Sequence, residues 1–334
     1  MSIADGRAEL APMSPTSRTR SRLSLAGRIV VSAGLLWYVV STVGLATIVE
    51  HVLELPAWVL PIALGLAVLN IVISTYKWRL LLRLRGIDLP VRTLFVYYYV
   101  GQFFNAFLPT TIGGDGVRMY YLHDRHGTGA DAVSSVVLER VTGLVSVFVL
   151  AGLGAVVLFD RLPRWLATGV VLGATLGTTL ALLVLFDRRV RSLLDVTVFR
   201  LPHLDLGDRL AGIHDALMDY RDRRRGLAIA LGLSLLFRFI VVANTVVVAA
   251  GLGMDLSPWY FVVIVPVVEV LLLVPVSIQG VGVRETAYLH LFTAVGADAG
   301  LAVVLGVVMQ LVLGVFNNVL GGAIYVLEGL RSPP

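Results

Sequence analysis

The sequence predicts an all-α polytopic membrane protein of about six full transmembrane helices plus two oppositely oriented re-entrant hairpins, arranged as an inverted repeat. Three observations carry this expectation. Of the 334 residues, 57% are hydrophobic and 15% charged, and the mean hydropathy is +0.86, whereas soluble domains are roughly 45–50% apolar. Several apolar runs approach the roughly 20 residues an α-helix needs to cross the hydrocarbon core, and the short alternating strands of an outer-membrane barrel are absent. Finally, the phrase "PTTIGGDGVR" at Pro109–Arg118 returns as "PVSIQGVGVR" at Pro275–Arg284.

Residues 1–24 are polar and rich in Ser, Arg and Pro, and read as a disordered cytoplasmic tail. A single membrane domain, 25–328, follows. Its first apolar stretch, 27–49, is too long for a signal peptide core and reads as a spanning helix. Further apolar segments lie at 57–76, 91–108, 129–158, 164–186, 226–250, 258–278 and 297–327.

Counting each segment as a crossing conflicts with the arginines, because Lys and Arg in short loops concentrate on the cytoplasmic side. The tail (Arg18, Arg20, Arg22, Arg28) and a 77–92 loop (Lys77, Arg79, Arg83, Arg85, Arg92) fit inside. Strict alternation would then put outside the 187–225 connection, the densest cationic stretch. The conflict disappears if 91–108 enters from the cytoplasm, turns at the first phrase and returns. The 187–225 connection is then cytoplasmic, where its Arg–Asp mixture suits a short amphipathic surface helix. By analogy, 258–278 enters from outside and turns at the second phrase. Pro109 and Pro275 interrupt a helical ladder, and Gly113, Gly114, Gly116, Gly280 and Gly282 permit unusual backbone angles. Non-helical backbone at membrane depth belongs beside protein or a water-filled cavity.

At an offset of 166, the two phrases share Pro, Ile, two Gly, Val and Arg, and "GIDLP" at Gly86–Pro90 resembles "GMDLSP" at Gly253–Pro258. Repeat 1 spans about 57–158 and repeat 2 about 226–327, joined by the arginine-rich segment 187–225. The copies start on opposite faces, which is the inverted plan of many transporters. The competing reading makes both phrases helix-breaking loops of a structural bundle.

The sequence resembles the lysylphosphatidylglycerol synthase transmembrane-region family, a flippase-like domain found as the membrane part of the multiple peptide resistance factor. The resemblance rests on "LPTTIGGDGVRMYYL" (Leu108–Leu122), "SSVVLERVTGL" (Ser134–Leu144) and "VPVSIQGVGVRETAYL" (Val274–Leu289). It implies movement of lipids between leaflets. Only Arg331–Pro334 follow the last helix, so an aminoacyl-transferase domain and a lysylated lipid cargo are not expected. The resemblance implies instead a phospholipid or a polyprenyl-phosphate-linked glycolipid.

Arg118 and Arg284 follow the glycine-rich turns. An arginine inside a membrane costs about 2.5–3.5 kcal/mol on the translocon scale and faces a cavity or a partner; its planar fork suits a phosphate. The backbone amides of Gly114, Gly116, Gly280 and Gly282 can approach the same anion. If the hairpins are misplaced, Arg118 is a loop arginine. Glu139 and Arg140 point different ways around their helix, and Glu139 is expected to pair with Arg118 or Arg284 or to carry a proton. Asp115, Glu285 and Glu269 are candidate counter-ions, Asp115 being alternatively a solvated turn residue. Arg238, mid-helix without a local acid, is a third candidate phosphate ligand or a snorkelling residue. Gln102, Asn105, Gln279, Gln310, Asn317 and Asn318 supply further polar groups, for which helix–helix hydrogen bonding is the commoner use.

No cysteine is present, which removes thiolate chemistry. No P-loop, DxD pair, Ser-His-Asp set or HExxH occurs, "HDRH" at His123–His126 is a poor metal set, and no basic stripe with aromatics suggests nucleic acid. The expectation is a non-enzymatic lipid flippase-like transporter without cofactors in a prokaryotic inner membrane, with cytoplasmic termini. Its partners would be a lipid with a phosphate head group, the bilayer, and further copies or a separate lipid-synthesising enzyme. Alternatives are a membrane partner that presents lipid to a glycosyltransferase, and a membrane-embedded transferase. In this cysteine-free background, single cysteines at Thr128 and Ser192 should label from the cytoplasm and one at Gly251 from outside; external labelling at Ser192 overturns the hairpin topology.

Overall fold

The computed structural model of the protein describes residues 15–105, 113–126, 129–186, 220, 223–274 and 276–331, and every regular element among them is helical. In order these are α1 (Pro15–Val43), α2 (Leu45–Leu53), α3 (Val59–Leu84), α4 (Val91–Asn105), α5 (Gly113–His126), α6 (Gly129–Val157), α7 (Arg164–Phe186), α8 (Arg224–Gly251), α9 (Pro258–Leu271), α10 (Val283–Thr293) and α11 (Ala299–Met309). A π-helical segment, Gln310–Phe316, then continues into α12 (Asn317–Arg331). Among the described residues, four helices are long and apolar enough to cross a membrane, with a fifth if the bent α1–α2 pair counts as one crossing. The outer surface carries exposed Leu153, Val157, Leu172 and Leu176, an exterior suited to hydrocarbon rather than water. The chain is a multi-pass helical membrane protein.

Three expectations change. Helix α1 begins at Pro15, inside the segment read as a tail. The expected first span is not straight: the chain bends by 81° between α1 and α2 at Gly44, whose φ of 90° few other residues adopt. The 77–92 loop shrinks, because α3 continues to Leu84 and Lys77 lies buried within it. The first four residues of the phrase that starts at Pro109, the residues Pro275, Thr128 and Ser192, and 187–219 with its expected surface helix lie outside the described residues. A reporter cysteine at Gly251 is poorly placed, since a side chain there meets Val59; the exposed neighbour Asp255 replaces it.

The two turns that resemble each other end their helices in the same way. Gly86 (φ 82°) follows α3 and Gly253 (φ 72°) follows α8. Ile87 N–H donates to the Leu82 carbonyl at 3.0 Å, and Met254 N–H to the Ala249 carbonyl at 2.9 Å, the six-to-one bond of a left-handed glycine cap. In the first of these turns Asp88 accepts hydrogen bonds from Arg83 (2.8 Å) and Arg79 (3.2 Å), which hold it below the usual carboxylate range.

Side-chain and backbone pairings fix the helix directions. Arg85 reaches Asp131, Trp78 reaches Ser135 and Lys77 reaches Glu139, so α3 and α6 are antiparallel. Likewise Leu84 lies against Gly226, Lys77 against Ser234, the Ala63 carbonyl against Asn244 and Val59 against Gly251, so α3 and α8 are antiparallel. Within the first hairpin, Asn105 meets Gly114, Gly101 meets Arg118 and Tyr97 stacks on Tyr121. In the second, Leu272 meets Gly280 and Phe261 packs on Phe292. Thus α4–α5 and α9–α10 are each antiparallel, and α4–α5 returns the chain to the end of the bundle that it left. The hairpins then exchange neighbours: α4 packs on α12, with Phe103 against Gly321 and Gly322, while α9 packs on α6, with Val263 against Gly154.

Close approach of α4 and α5 requires glycine at two positions. A Cβ on Gly114 would collide with the Gly101 carbonyl oxygen, whereas nothing lies within 4 Å of one on Gly116. Gly114→Ala should therefore lower stability in detergent by roughly 1–3 kcal/mol, the usual cost of overpacking, while Gly116→Ala leaves the unfolding midpoint near wild type in the same denaturation series.

Candidate functional site

The hairpins and the long helices surround a cavity of about 450 Å³. Both halves contribute to it: α3, α4, α5 and α6 from the first, and α8, α9, the second turn, α10 and the π-helical segment from the second. Its walls carry six cations, Arg28, Lys77, Arg118, Arg140, Arg238 and Arg284, against three carboxylates, Asp115, Glu139 and Glu269. That excess of three positive charges sits in a chain whose described interior is otherwise largely apolar.

Arg118, on the second turn of α5, is 3% exposed. Its fork is held by two carboxylates: Nη2 donates to Asp115 Oδ1 at 2.6 Å and Nη1 to Glu139 Oε2 at 3.1 Å. Its guanidinium carbon also lies 4.2 Å from the Tyr98 ring centre and 4.9 Å from that of Trp78, contacts that strengthen when water is excluded. The other oxygen of Asp115 accepts from Arg140 Nε at 2.6 Å. The other oxygen of Glu139 accepts from the Tyr98 hydroxyl at 3.0 Å and lies 3.9 Å from Lys77 Nζ. Lys77 also donates to Ser234 Oγ on α8 at 3.2 Å. The result is a continuous charge chain from α8 through α3, α6 and α5.

Arg238, mid-way along α8, finds its acid in Glu269 of α9 at 2.6 Å and also donates to the Gly143 carbonyl at 3.5 Å; its Nε is buried without a hydrogen-bond partner. Arg284 differs from both. Among the described residues no carboxylate forms an ion pair with it, and its Nε donates to the neutral Gln310 Oε1 at 3.2 Å. The expected counter-ion Glu285 turns elsewhere: its Oε2 accepts from the Gly282 N–H at 2.7 Å, satisfying one of the orphan amides that open α10. Arg284 therefore faces the cavity in no ion pair among the described residues.

The sequence-predicted residues sort accordingly. Arg118, Arg140, Arg238, Arg284, Asp115, Glu139, Glu269 and Gly114 line the cavity; Glu285, Gly116, Gly280 and Gly282 do not. The glycine amides do not form the expected open cradle. The Gly114 N–H donates to Asn105 Oδ1 at 2.7 Å and that of Gly282 to Glu285, while Gly280 and Gly282, at φ 80° and 83°, serve the turn. Two residues were missed. Arg28 was assigned to the tail, and Lys77 to a loop because a charge ended the apolar run. The signal for Lys77 was helical spacing, since Asn70, Ser74 and Lys77 recur on one buried face of α3.

The fold and cavity define a class, a multi-pass helical membrane protein with a cationic chamber in its interior. The family model for the lysylphosphatidylglycerol synthase TM region matches residues 25–321, and the chain belongs to that family, which fits a membrane lipid-related role. No curated protein sequence matches it.

Removing one partner of a buried ion pair strands the other and typically costs about 3–5 kcal/mol. Glu139→Gln should show a loss of that order in detergent unfolding, and adding Arg118→Met should recover part of it; additive losses in the double mutant would mean that the two side chains are not coupled.

Proposed function

We propose that this protein is a lipid flippase-like transporter that moves an anionic, phosphate-bearing lipid between leaflets without covalent chemistry. The carrying observation is the surplus of cations around the interior cavity, with Arg284 in no ion pair among the described residues. A phosphate entering there meets a guanidinium fork whose charge is not already balanced, while its acyl or isoprenoid chain remains in the bilayer. Arg118, Asp115 and Glu139 hold the opposite wall, and Arg118 becomes a second phosphate ligand when a head group displaces one of its carboxylates.

The topology belongs to the same proposal. Helices α1–α2, α3, α6, α7, α8 and α11–α12 make six crossings, and α4–α5 and α9–α10 are re-entrant hairpins. Helix α9, of 14 residues, is about 21 Å long at 1.5 Å per residue, short of the roughly 30 Å hydrocarbon core. Antiparallel α3 and α8 further support the arrangement, because a strict alternation counting 91–108 as a crossing would make them parallel. At the offset of 166, α3 to α6 correspond to α8 to α12, and the reciprocal packing of α4 on α12 and α9 on α6 is what a pseudo-two-fold axis generates. We assign the two units as an inverted repeat, 57–158 and 226–327, whose rocking alternates access to the cavity. A prokaryotic inner membrane with cytoplasmic termini is the orientation that the arginines favour.

Reconstituted in liposomes, the protein should accelerate transbilayer movement of an acyl-labelled phosphatidylglycerol. Arg284→Gln removes charge-assisted hydrogen bonds of about 1.5–3 kcal/mol each, so its rate should fall roughly tenfold to hundredfold. A wild-type rate in that variant removes the phosphate site, and a wild-type protein that binds the lipid without moving it is a presenting partner instead.

A further inference from the structure

Resting on the transporter reading above, the structure assigns the cargo's head group as a polyhydroxylated one, a polyol or sugar joined to the phosphate, rather than an ammonium-bearing one. The first part of the argument is the state of the acids. Asp115 is shared by Arg118 and Arg140, Glu139 by Arg118, Tyr98 and Lys77, and Glu269 is held by Arg238. Each cavity carboxylate already has a cationic partner. An ammonium head group would enter an excess of positive charge and find no unengaged acid to receive it.

The second part is the set of carboxamides in the cavity, three of them linked to Arg284. Five carboxamides line the cavity: Gln102, Asn105, Gln279, Gln310 and Asn318. Gln310 accepts from Arg284 and donates to the Gln279 carbonyl at 3.3 Å, and Asn318 donates to Gln279 Oε1 at 3.0 Å. Asn105 donates to Gln102 Oε1 at 3.1 Å. These bonds leave the Gln102 and Gln279 amide nitrogens as donors and Asn318 Oδ1 as an acceptor, none with a partner among the described residues and none fully occluded. Helix–helix hydrogen bonding, the commoner use of such residues, does not consume these groups.

The backbone supports the same assignment. Gln279 is the one described non-glycine residue with a positive φ, 51°, a conformation that costs roughly 1–2 kcal/mol. It is pinned there by Gln310, at the start of the π-helical segment, and by Asn318 just beyond it. Strained residues and π-helical turns recur at functional sites. A hydroxyl both donates and accepts, so neighbouring hydroxyls of a polyol can use amide N–H and C=O groups together. A wall of mixed amide donors and acceptors beside one guanidinium fits phosphate and polyol in a single ligand.

The test compares labelled lipids with identical acyl chains in proteoliposomes: phosphatidylinositol, phosphatidylmethanol, which carries the same phosphodiester charge without hydroxyls, and lysylphosphatidylglycerol. Phosphatidylinositol should move about tenfold faster than phosphatidylmethanol, the effect of one to two hydrogen bonds, and Gln102→Leu or Asn318→Leu should each shrink that ratio. Equal rates for phosphatidylinositol and phosphatidylmethanol overturn the polyol assignment while the transporter reading stands. Faster movement of lysylphosphatidylglycerol overturns it through the acids. Movement of no lipid overturns the transporter reading itself.

Discussion

The arrangement around the cavity depends on one constraint: a charge fully buried in an apolar bundle, as Arg118 is, must be paired. Arg118 satisfies it with two carboxylates from two helices and two aromatic faces. Those partners arrive from α3, α4, α5 and α6, so the same pairing that makes the charge tolerable also fixes the first hairpin against the long helices. Lys77 extends the network to α8 through Ser234. Because desolvation offsets much of the attraction within a buried pair, the network's clearest effect is positional, tying five helices to one small volume.

The repeat and the charges follow different rules. At the offset of 166 the arginines correspond, Arg118 to Arg284, and so do the glycine-capped ends of α3 and α8. The acids do not: the position matching Asp115 is Val281, that matching Glu139 is Leu305, and that matching Lys77 is Ala243. On the proposed repeat, the two halves are unequal. In one, the arginine is bound to acids of its own half; in the other it leans on a carboxamide. The second ion pair, Arg238 with Glu269, is also confined to one copy, its counterparts being Val72 and Phe103.

Much of this was legible in the sequence, and the exceptions have physical causes. The breaks between α4 and α5 and between α9 and α10 could be read because proline, glycine and arginine punctuate otherwise apolar runs. Glu139 and Arg140 were read as pointing apart, since adjacent residues diverge by about 100° around a helix, and they meet Arg118 and Asp115 respectively. Lys77 was lost because a run-length criterion stops at the first charge, although its spacing from Asn70 and Ser74 marks a buried polar stripe. For Glu285 the reading named only the adjacent Arg284 and not the helix cap, because adjacency says nothing about which group a short carboxylate meets first; three residues from Gly282, it accepts that residue's N–H. The bend at Gly44 left no trace in hydropathy, because both sides of it are apolar.

On the transporter reading, the inequality of the halves has a mechanistic consequence. An inverted pair of units lets the two ends of the bundle exchange open and closed forms with little energetic bias, since each form places one copy in the conformation of the other. A symmetric distribution of acids would give the phosphate two equivalent arginines and no preferred station. Here the Arg284 side offers an uncompensated guanidinium, whereas engaging Arg118 requires separating it from Asp115 or Glu139. The anion then binds first where no ion pair must break. Any passage to Arg118 exchanges one anion for another at that arginine, so Arg118 is never left unpaired away from water. Moving the lipid by such exchange avoids the several kcal/mol that a bare charge would incur at membrane depth.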